Sequence, residues 1–328
     1  MRKLVVACIA GCLLSGVMNA NSQENALAAR CAELSKDSSM AVAGSDGWYF
    51  LKSELRHLSV GDFWGEKSLQ TSRASNSAQK DPLKAIVAYK EALDKEGIDL
   101  LLVPIPPKAV VYPDKLDPSL SVKRYDASLQ AFYKVLEQYG VSVLDLTSQL
   151  MSARKASGEP LYCKGDSHLS GEGCKVVAEA IARNVNVKGN KNYTVKSVRI
   201  SFKGDLYKSL PEAPNDEQRT IYVVSGAETK DKNSEVILMG DSHTLVFDAG
   251  GDMFAQNAGI ASLLAATLKM PVDVIGVRGS GATPARVNLY RRSKSDPQYI
   301  KNKKVLVWCF TAREFTEASA WNSAVPIK

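Results

Sequence analysis

The stretch Glu235-Val-Ile-Leu-Met-Gly240-Asp241-Ser242-His243 indicates the fold class of this 328-residue chain. Its apolar run ends at Gly-Asp-Ser, which is typical of a buried strand in a parallel sheet that stops at a polar loop. In open α/β sheets, functional groups gather beyond the carboxyl ends of such strands. A serine placed there can begin a helix, so that its own backbone N–H can face a developing oxyanion. The alternative interpretation is that Ser242 only caps a helix.

Strand and helix patterns alternate on both sides of this stretch. Apolar runs bounded by polar or glycine residues predict further strands, and apolar residues at three- and four-residue spacing predict helices between them. The predicted strands lie in 46–51, 99–104, 141–145, 272–276 and 304–310, and the predicted helices lie in 86–97, 125–139, 176–185 and 253–270. This alternation predicts an α/β fold with a mostly parallel, helix-covered sheet.

The chain is interpreted as a single α/β domain with short flanking segments. The domain spans residues 46–318 and includes a β-rich insertion at 191–234, where apolar residues alternate around a polar stretch. Residues 52–80 are rich in Ser, Gly and Gln and are interpreted as loops. The predicted flanks are an N-terminal tail that runs into a short helix at 21–45 and a C-terminal tail at 319–328.

The first twenty residues are interpreted as a signal peptide. Arg2 and Lys3 precede the apolar stretch Leu4–Val17, which is short for a spanning helix, and Ala20 offers a small residue at the cleavage point. The segment Ile9–Cys12 resembles a lipobox, so lipidation is the alternative to the simple export that we favour. No run of 18 apolar residues follows, and a membrane span in the mature chain is therefore not expected.

Composition and charge restrict the classes of function. With 45% apolar and 23% charged residues, the chain has an ordinary globular composition, which excludes coiled-coil and disordered classes. Removal of the signal leaves 40 basic against 35 acidic residues, and this formal charge of +5 is compatible with an anionic glycan. No basic stripe is interleaved with aromatic residues, so nucleic-acid binding is not expected.

A second polar segment, Leu161–Cys174, carries Asp166 and His168 in a loop ahead of a predicted helix. The Asp166 carboxylate can turn back onto the His168 imidazole, fix its tautomer and leave its other nitrogen to take a proton from a hydroxyl. The alternative is a turn aspartate and a surface histidine. Together with Ser242, the pair supplies a nucleophile, a base and an orienting carboxylate. His243 is the competing base, but consecutive residues at a helix start diverge by ~100°, which favours His168.

Four cysteines follow the predicted cleavage point, and an oxidising compartment permits two disulfides among three connectivities. Cys163 and Cys174 bracket the loop that carries Asp166 and His168, and we expect a disulfide between them that makes this loop rigid. Cys31 can compete for either partner. No Cys-x-x-Cys spacing occurs and the three histidines are dispersed, so neither a metal site nor a cofactor is expected.

These motifs resemble the SGNH hydrolase superfamily, although Asp-x-His precedes the serine by 74 residues instead of following it. That order resembles the alginate O-acetyltransferase family of AlgJ and AlgX type, whose SGNH-like domain is circularly permuted. The resemblance covers most of residues 45–318. Besides Gly-Asp-Ser, the matching segments are Asp46–Leu51, Leu101–Leu116, Asp166–Gly173 and Trp308–Phe315. Leu169 stands where the family usually has Trp, and this departure concerns the substrate surface.

The resemblance implies an SGNH hydrolase-like three-layer sandwich and roles for individual residues. Carried over, Ser242 is the nucleophile, His168 is the base and Asp166 orients the base. The backbone N–H of Ser242 is the expected oxyanion donor. Further candidates lie in a glycine-rich segment after a strand and in the closing turn of the domain. Gly279 and Gly281 are candidates for a second oxyanion donor, and Arg278 and Arg313 are candidates for binding a sugar carboxylate.

The resemblance also implies an activity, partners and a location. It predicts a periplasmic O-acetyltransferase that acts on an exopolysaccharide, alginate or a similar polymer, with a membrane-bound O-acyltransferase as acetyl donor. A secretion or biosynthesis complex is the expected setting, with attachment to the inner membrane if the signal is uncleaved. Two other functions stay open: an acetyl-esterase that uses the same three side chains with water, and a non-catalytic polysaccharide-binding subunit.

Overall fold

Helices and strands alternate along residues 26–36 and 38–328, which the computed structural model describes. The strands are β1 (Ala41–Ala43), β2 (Tyr49–Leu51), β3 (Asp99–Ile105), β4 (Ser142–Val143), β5 (Tyr193–Phe202), β6 (Glu217–Gly226), β7 (Val236–Gly240), β8 (Asp273–Gly276) and β9 (Val305–Thr311). The helices are α1 (26–34), α2 (Lys52–Ser59), α3 (Ser68–Thr71), α4 (Pro82–Lys95), α5 (Lys108–Val111), α6 (Pro113–Leu116), α7 (Ala127–Gln138), α8 (Thr147–Ala156), α9 (Gly171–Asn184), α10 (Asp205–Lys208), α11 (Ile260–Leu268), α12 (Thr283–Ser295) and α13 (Glu314–Glu317). Short 3₁₀ turns occur at Gly65–Lys67, Ser77–Gln79, Ser242–Thr244, Gly251–Met253 and Tyr299–Asn302.

The predicted signal peptide at residues 1–20, with its lipobox-like segment Ile9–Cys12, lies outside the described residues. Among the helices of the described chain, none is both long enough and apolar enough to cross a membrane. Export and cleavage of the N-terminus therefore stay predictions.

The central sheet has five parallel strands in the order β4-β3-β9-β7-β8. The last strand along the chain, β9, lies in the middle between β3 and β7, and its register pairs Cys309 with Gly240. Parallel strands place their carboxyl ends at one edge of the sheet, so the ends of β3, β7 and β9 are neighbours. A glycine is needed at 240, because a Cβ there would lie 1.6 Å from the Cys309 carbonyl oxygen. The predicted α/β fold with a mostly parallel sheet is confirmed.

Helices cover both faces of the sheet, because strand residues alternate between two apolar cores. On one face, Leu101 and Val307 share a core with α9 and α11. On the other face, Leu102 and Trp308 pack with α4, α7 and α12. Burying one side chain of this size stabilises the fold by roughly 1.5–3 kcal/mol. The sheet with helices on both faces is a three-layer sandwich, as the resemblance implies. Packing on both faces fixes the positions of the strand ends.

A long antiparallel hairpin occupies the predicted β-rich insertion at 191–234. Its strands β5 and β6 pair along their whole length, from Tyr193 opposite Gly226 to Phe202 opposite Glu217. Strand β6 packs against α9 and α11, whereas most of β5 is exposed. The connection between the two strands contains α10, which begins beside the loop that carries Asp166. The hairpin therefore contributes to the candidate site from outside the central sheet.

Residues 52–80 differ from the prediction in their secondary structure. They contain α2, α3 and two 3₁₀ turns, where the composition predicts loops. Helix α2 buries Glu54, Leu55 and His57. Two of these three side chains are polar, so the apolar spacing that marks a helix is missing from the sequence.

Three smaller differences have local causes. The predicted strand 141–145 is reduced to β4, because this edge strand pairs only with β3. Helix α9 begins at Gly171, well before the predicted start, because the Ser170 side chain caps it by accepting the Gly173 N–H at 3.2 Å. The predicted C-terminal tail has neither helix nor strand, but Trp321 is buried and donates from Nε1 to the Glu314 carbonyl at 2.9 Å.

Candidate active site

Strand β7 ends at a tight turn that presents Ser242. Asp241 caps the 3₁₀ turn by accepting a hydrogen bond from the His243 N–H at 2.9 Å. Its other oxygen accepts from the Thr311 N–H at 2.8 Å, at the end of β9. Burial acts to raise the pKa of Asp241, but His243 and these N–H donors outweigh burial and hold the pKa at about 2. Asp241 is therefore an ionised side chain that fixes the turn below the serine.

The loop before α9 presents Asp166 and His168. Oδ1 of Asp166 accepts hydrogen bonds from the His168 N–H at 2.9 Å and from the ring Nδ1 at 2.6 Å, and Oδ2 accepts from the Asp205 N–H at 2.8 Å. Burial acts to raise the pKa of Asp166, but His168 and these hydrogen bonds hold it well below its usual value. Burial acts to lower the pKa of His168, but the Asp166 carboxylate raises it above its usual value.

The Ser242 hydroxyl lies 2.7 Å from Nε2 of His168. An ionised Asp166 can only accept hydrogen bonds, so Nδ1 carries the imidazole hydrogen and Nε2 is left to accept from Ser242. The structure thus brings together the three residues that the sequence predicts. In this arrangement His168 can take the hydroxyl proton while Ser242 attacks an acyl carbon, and Asp166 can stabilise the imidazolium that forms.

The competing histidine, His243, does not contact the serine hydroxyl. Its Nδ1 lies 3.3 Å from Oδ1 of Asp241, and within the described residues neither of its ring nitrogens makes a hydrogen bond. Its ring packs at 4.9 Å, centroid to centroid, from the His168 ring. The local divergence expected at the helix start therefore separates Ser242 from the adjacent imidazole, and the distant His168 lies against it instead.

An open cleft of about 560 Å³ lies over Ser242, His168 and Asp166. Gly279, Arg278 and Arg313 also line this cleft. The backbone of Gly279 has a φ of 87°, a left-handed conformation that glycine adopts without strain. In the described part of the chain, neither the Ser242 N–H nor the Gly279 N–H donates a hydrogen bond, so both are available to an oxyanion.

The other three predicted substrate residues differ in their surroundings. Arg278 pairs with Asp252 at 2.5 Å, and both side chains are more than half exposed. Arg313 is mostly buried and lies 3.8 Å from the nearest Glu314 oxygen. Gly281 does not line the cleft: a Cβ there would lie 2.7 Å from the Asp241 nitrogen, and its carbonyl accepts from Trp308 Nε1 at 2.7 Å. Gly281 thus serves close packing, and its part as a second oxyanion donor stays a prediction.

Among the residues that the structure describes, one group of side chains has ligand atoms close enough to hold a metal ion. The ligand atoms of Asp166, His168 and Asp205 lie within 4.8 Å of one another. Each oxygen of both carboxylates already accepts a hydrogen bond, from His168 and Asp205 on one side and from Ser167 on the other. The four carboxylate oxygens of this group therefore already have hydrogen-bond partners within the protein.

The predicted disulfide between Cys163 and Cys174 is contradicted by the structure, in which both are free, buried thiols, as are Cys31 and Cys309. The Cys163 thiol donates to the Leu169 carbonyl at 3.6 Å. Burial raises the pKa of both thiols. Main-chain hydrogen bonds between the two ends of the loop, such as Ser170 N–H to the Leu161 carbonyl at 2.9 Å, provide the rigidity that the disulfide was expected to give.

Several residues that hold the site carry no recognisable signal in the sequence. Asp205 donates its N–H to Asp166, and Glu217 accepts the N–H groups of Lys164 and Gly165 at 2.7 and 2.9 Å. Both acids belong to the hairpin region, and no local motif marks them. Lys108 donates from Nζ to the Asp166 carbonyl at 2.7 Å, and its only signal in the sequence was its place in the segment Leu101–Leu116 of the family resemblance.

Fold and site together define an SGNH hydrolase-like α/β protein, with Ser, His and Asp side chains in contact at the carboxyl edge of a parallel sheet. Residues 41–312 match the family model described as "SGNH hydrolase-like domain, acetyltransferase AlgX". The chain belongs to this family.

Curated relatives carry the name probable alginate O-acetylase AlgJ. The one from Pseudomonas syringae pv. tomato is 26% identical over 179 residues, which is 53% of this chain and 42% of the relative. The one from Pseudomonas fluorescens is 24% identical over 241 residues, which is 70% of this chain and 60% of the relative. The chain thus spans about half the length of the curated relatives it matches.

Solved structures agree with the fold. The O-acetyltransferase domain of Pseudomonas putida AlgJ superposes with a TM-score of 0.64 at 22% identity, covering 85% of this chain and 92% of that one. Pseudomonas aeruginosa AlgX superposes with a TM-score of 0.63 at 18% identity, covering 88% of this chain and 65% of that one. At these identities the likeness concerns the fold.

Proposed function

We propose that this protein is a periplasmic O-acetyltransferase that carries acetyl on Ser242 and transfers it to hydroxyl groups of an exopolysaccharide, alginate or a similar polymer. The observation that carries the proposal is the hydrogen-bonded series from Asp166 through His168 to Ser242 at the floor of an open cleft. Membership in a family described as acetyltransferase AlgX supports the choice of acetyl transfer. Relatives named as probable alginate O-acetylases support a polysaccharide acceptor.

In the first half-reaction, Ser242 Oγ attacks the carbonyl carbon of the acetyl donor while its proton moves to Nε2 of His168. The tetrahedral oxyanion accepts hydrogen bonds from the backbone N–H groups of Ser242 and Gly279. The bond to the leaving group then breaks, and His168 gives its proton to that group. Asp166 stabilises the imidazolium throughout, and acetyl-Ser242 remains.

In the second half-reaction, a sugar hydroxyl enters the cleft and gives its proton to Nε2 of His168 as it attacks the acetyl carbonyl carbon. A second tetrahedral oxyanion collapses, the bond to Ser242 Oγ breaks, and His168 returns the proton to the serine. The products are an acetylated sugar and the free enzyme. Water competes with the sugar for acetyl-Ser242, and transfer therefore depends on how well the bound acceptor excludes water.

Arg313 is the residue that we propose for binding an acidic acceptor. It lines the cleft, and within the described residues its guanidinium makes no hydrogen bond. An arginine fork fits a carboxylate in a bidentate manner, so a uronic acid sugar could use it. Arg278 also lines the cleft, but it is already paired with Asp252 and is the weaker candidate.

The donor and the setting follow from the proposed location. Acetyl-CoA is not expected outside the cytoplasm, so we propose that a membrane-bound O-acyltransferase delivers acetyl to this protein. A polysaccharide biosynthesis or secretion complex is the proposed setting. The signal-like pattern of residues 1–20 and the resemblance to AlgJ and AlgX support these assignments.

Intact-mass spectrometry with an activated acetyl ester tests the proposal. The purified chain is mixed with p-nitrophenyl acetate, with and without oligosaccharides of uronic acid or glucose, beside Ser242→Ala and the neighbouring control Ser167→Ala. We expect an acetyl adduct on wild type and Ser167→Ala but not on Ser242→Ala, and we expect the acetyl group to move to a sugar. Release of acetate alone, unaffected by any sugar, would contradict transfer and favour an acetyl-esterase. No adduct and no turnover would favour a non-catalytic polysaccharide-binding subunit.

A further inference from the structure

We propose that Lys108 is a positioning residue that holds Asp166 in place beneath His168. The inference rests on the proposed acyl transfer, because it concerns the residue that orients the base. Lys108 begins the short helix α5 after β3, and its side chain is fully buried. It touches neither the serine nor the histidine ring, so its action on the reaction would pass through the loop that carries Asp166.

The ammonium group of Lys108 joins three separate backbone segments. Its Nζ donates to the carbonyl oxygens of Tyr49 at 2.8 Å, Cys163 at 2.8 Å and Asp166 at 2.7 Å. Carbonyl oxygens only accept hydrogen bonds, so three acceptors at this distance require three N–H donors, and only a protonated lysine has three. Two of the three carbonyls belong to the loop that presents Asp166.

The carboxylates near Lys108 oppose part of the effect of its burial. Burial lowers the pKa of Lys108, but the carboxylates of Glu54 and Asp166 act to raise it. Glu54 also accepts the Lys108 backbone N–H at 3.3 Å. Its other oxygen accepts the Thr311 hydroxyl at 3.3 Å, and the Thr311 N–H donates to Asp241 at 2.8 Å. Lys108 and Glu54 therefore connect the loop of the base with the turn of the nucleophile.

Loss of the Lys108 ammonium would leave three carbonyls without a donor, two of them buried. The loop could relieve this only by moving toward other donors, and Asp166 would move with it. A misplacement of about 1 Å at a reacting centre can cost ~10²-fold in rate. We therefore expect Lys108→Met to slow the formation of acetyl-Ser242 by roughly 10²-fold with little change in KM for the ester, because the cleft itself is left intact.

A second buried lysine supplies a matched control. Lys303 is also fully buried at its side chain, and its Nζ donates to the Ser234 carbonyl at 2.8 Å and to Asp273 at 3.0 Å. It lies near the amino ends of β7, β8 and β9, at the opposite edge of the sheet from Ser242. We expect Lys303→Met to lower the melting temperature but to leave the acetylation rate of the folded protein unchanged.

The experiment measures wild type, Lys108→Met, Lys108→Arg and Lys303→Met for melting temperature, for kcat and KM of acetylation, and for the proton resonance of His168 Nδ1–H. That proton lies in a 2.6 Å hydrogen bond and should be strongly deshielded, and His168→Ala assigns it. We expect the resonance to weaken or shift in Lys108→Met and to persist in Lys303→Met. The planar fork of Lys108→Arg should restore part of both signals, because it keeps the charge but not the three converging donors.

Each outcome decides the proposal. A folded Lys108→Met that keeps the wild-type rate and resonance would overturn it. If Lys108→Met does not fold, Lys108→Arg takes its place, and failure of both to fold would assign Lys108 to stability and reject a positioning role. If wild type forms no acetyl-Ser242, the proposed function fails. The Nδ1–H resonance would then still show whether Lys108 orients Asp166.

Discussion

The tetrapeptide Gly-Asp-Ser-His occurs twice in this chain, at residues 165–168 and at residues 240–243, and the two copies have different surroundings. They begin alike: in each copy, Oδ1 of the aspartate accepts the N–H of the histidine two residues later at 2.9 Å. Both aspartates are buried, and both have a lowered pKa. The local sequence therefore produces the same short turn in both places.

The side chains after each aspartate differ in what lies opposite them. In the first copy, His168 lies between Asp166 and Ser242, and Ser167 donates to Asp205 at 2.5 Å. In the second copy, the Ser242 hydroxyl lies 2.7 Å from Nε2 of His168. The ring nitrogens of His243 make no hydrogen bond within the described residues. Tertiary placement, and not the tetrapeptide itself, separates the proposed roles of base and nucleophile.

Replacement of each of the two serines by alanine should give the largest difference in acetylation rate. Ser242→Ala removes the proposed nucleophile, and we expect acetylation to fall by ~10⁶-fold, as in serine enzymes that lose their nucleophile. Ser167→Ala should keep most of the rate, and the loss of its hydroxyl hydrogen bond to the Asp205 carboxylate should lower the free energy of unfolding by about 1.5–3 kcal/mol. Intact-mass kinetics and chemical denaturation measure the two effects. Equal activity of the two variants would refute the assignment of Ser242.

The two histidines should differ nearly as much. His168→Ala leaves Ser242 without a proton acceptor, and we expect the acetylation rate to fall by ~10⁶-fold while the fold persists. His243→Ala should keep most of the activity, because the His243 ring contacts His168 only through packing. Stopped-flow release of p-nitrophenol from both variants measures the contrast. A larger loss in His243→Ala than in His168→Ala would reverse the assignment of the base.

Replacement of the two aspartates by asparagine should have different effects, on activity at Asp166 and on stability at Asp241. In Asp166→Asn the amide cannot hold the same histidine tautomer, and we expect kcat to fall by ~10⁴-fold. The pKa of His168 should also fall, because the Asp166 carboxylate raises it in wild type. His168 must be unprotonated to act as a base, so on acidification the remaining kcat/KM should decline at a lower pH than in wild type. Asp241→Asn should mainly destabilise the turn. A pH–rate profile of Asp166→Asn that matches wild type in height and midpoint would contradict the orienting role.

The fold class could be predicted from the sequence because the strands are apolar runs with sharp polar ends. The strand at 236–240 and the strand at 305–311 were both marked in this way, and both lie in the centre of the sheet. Helix α2 was missed because it buries Glu54 and His57, polar residues that break the apolar pattern. Such residues are buried for their hydrogen bonds, which only the tertiary structure reveals.

The candidate site was predictable where residues carry recognisable chemistry, and not where they supply support. Ser242, His168 and Asp166 stood out by residue type and spacing, whereas Asp205 contacts Asp166 through a backbone N–H that any residue other than proline could donate. The disulfide prediction was wrong because two cysteines that bracket a loop satisfy the spacing, although the loop is held by hydrogen bonds between main-chain groups.

The smallest expected effect concerns Asp241 in the second copy and the dependence of the unfolding free energy on pH. The pKa of Asp241 falls from 3.8 to about 2 on folding, so its contribution to stability is present above pH 4 and is lost as the pH falls through the folded value. A shift of this size corresponds to about 2 kcal/mol of unfolding free energy, lost between pH 4 and pH 2.

Asp241→Asn removes this titration, so its unfolding free energy should depend less steeply on pH in that window. Ser167→Ala, which leaves Asp241 untouched, should keep the wild-type slope. Because the His243 side chain and the Thr311 N–H lower the pKa of Asp241, a variant slope equal to that of wild type would mean that these groups do not stabilise the charged carboxylate. The turn under Ser242 would then be held by close packing at Gly240 and Gly281 and by main-chain hydrogen bonds such as Thr244 N–H to the Asp241 carbonyl at 3.1 Å.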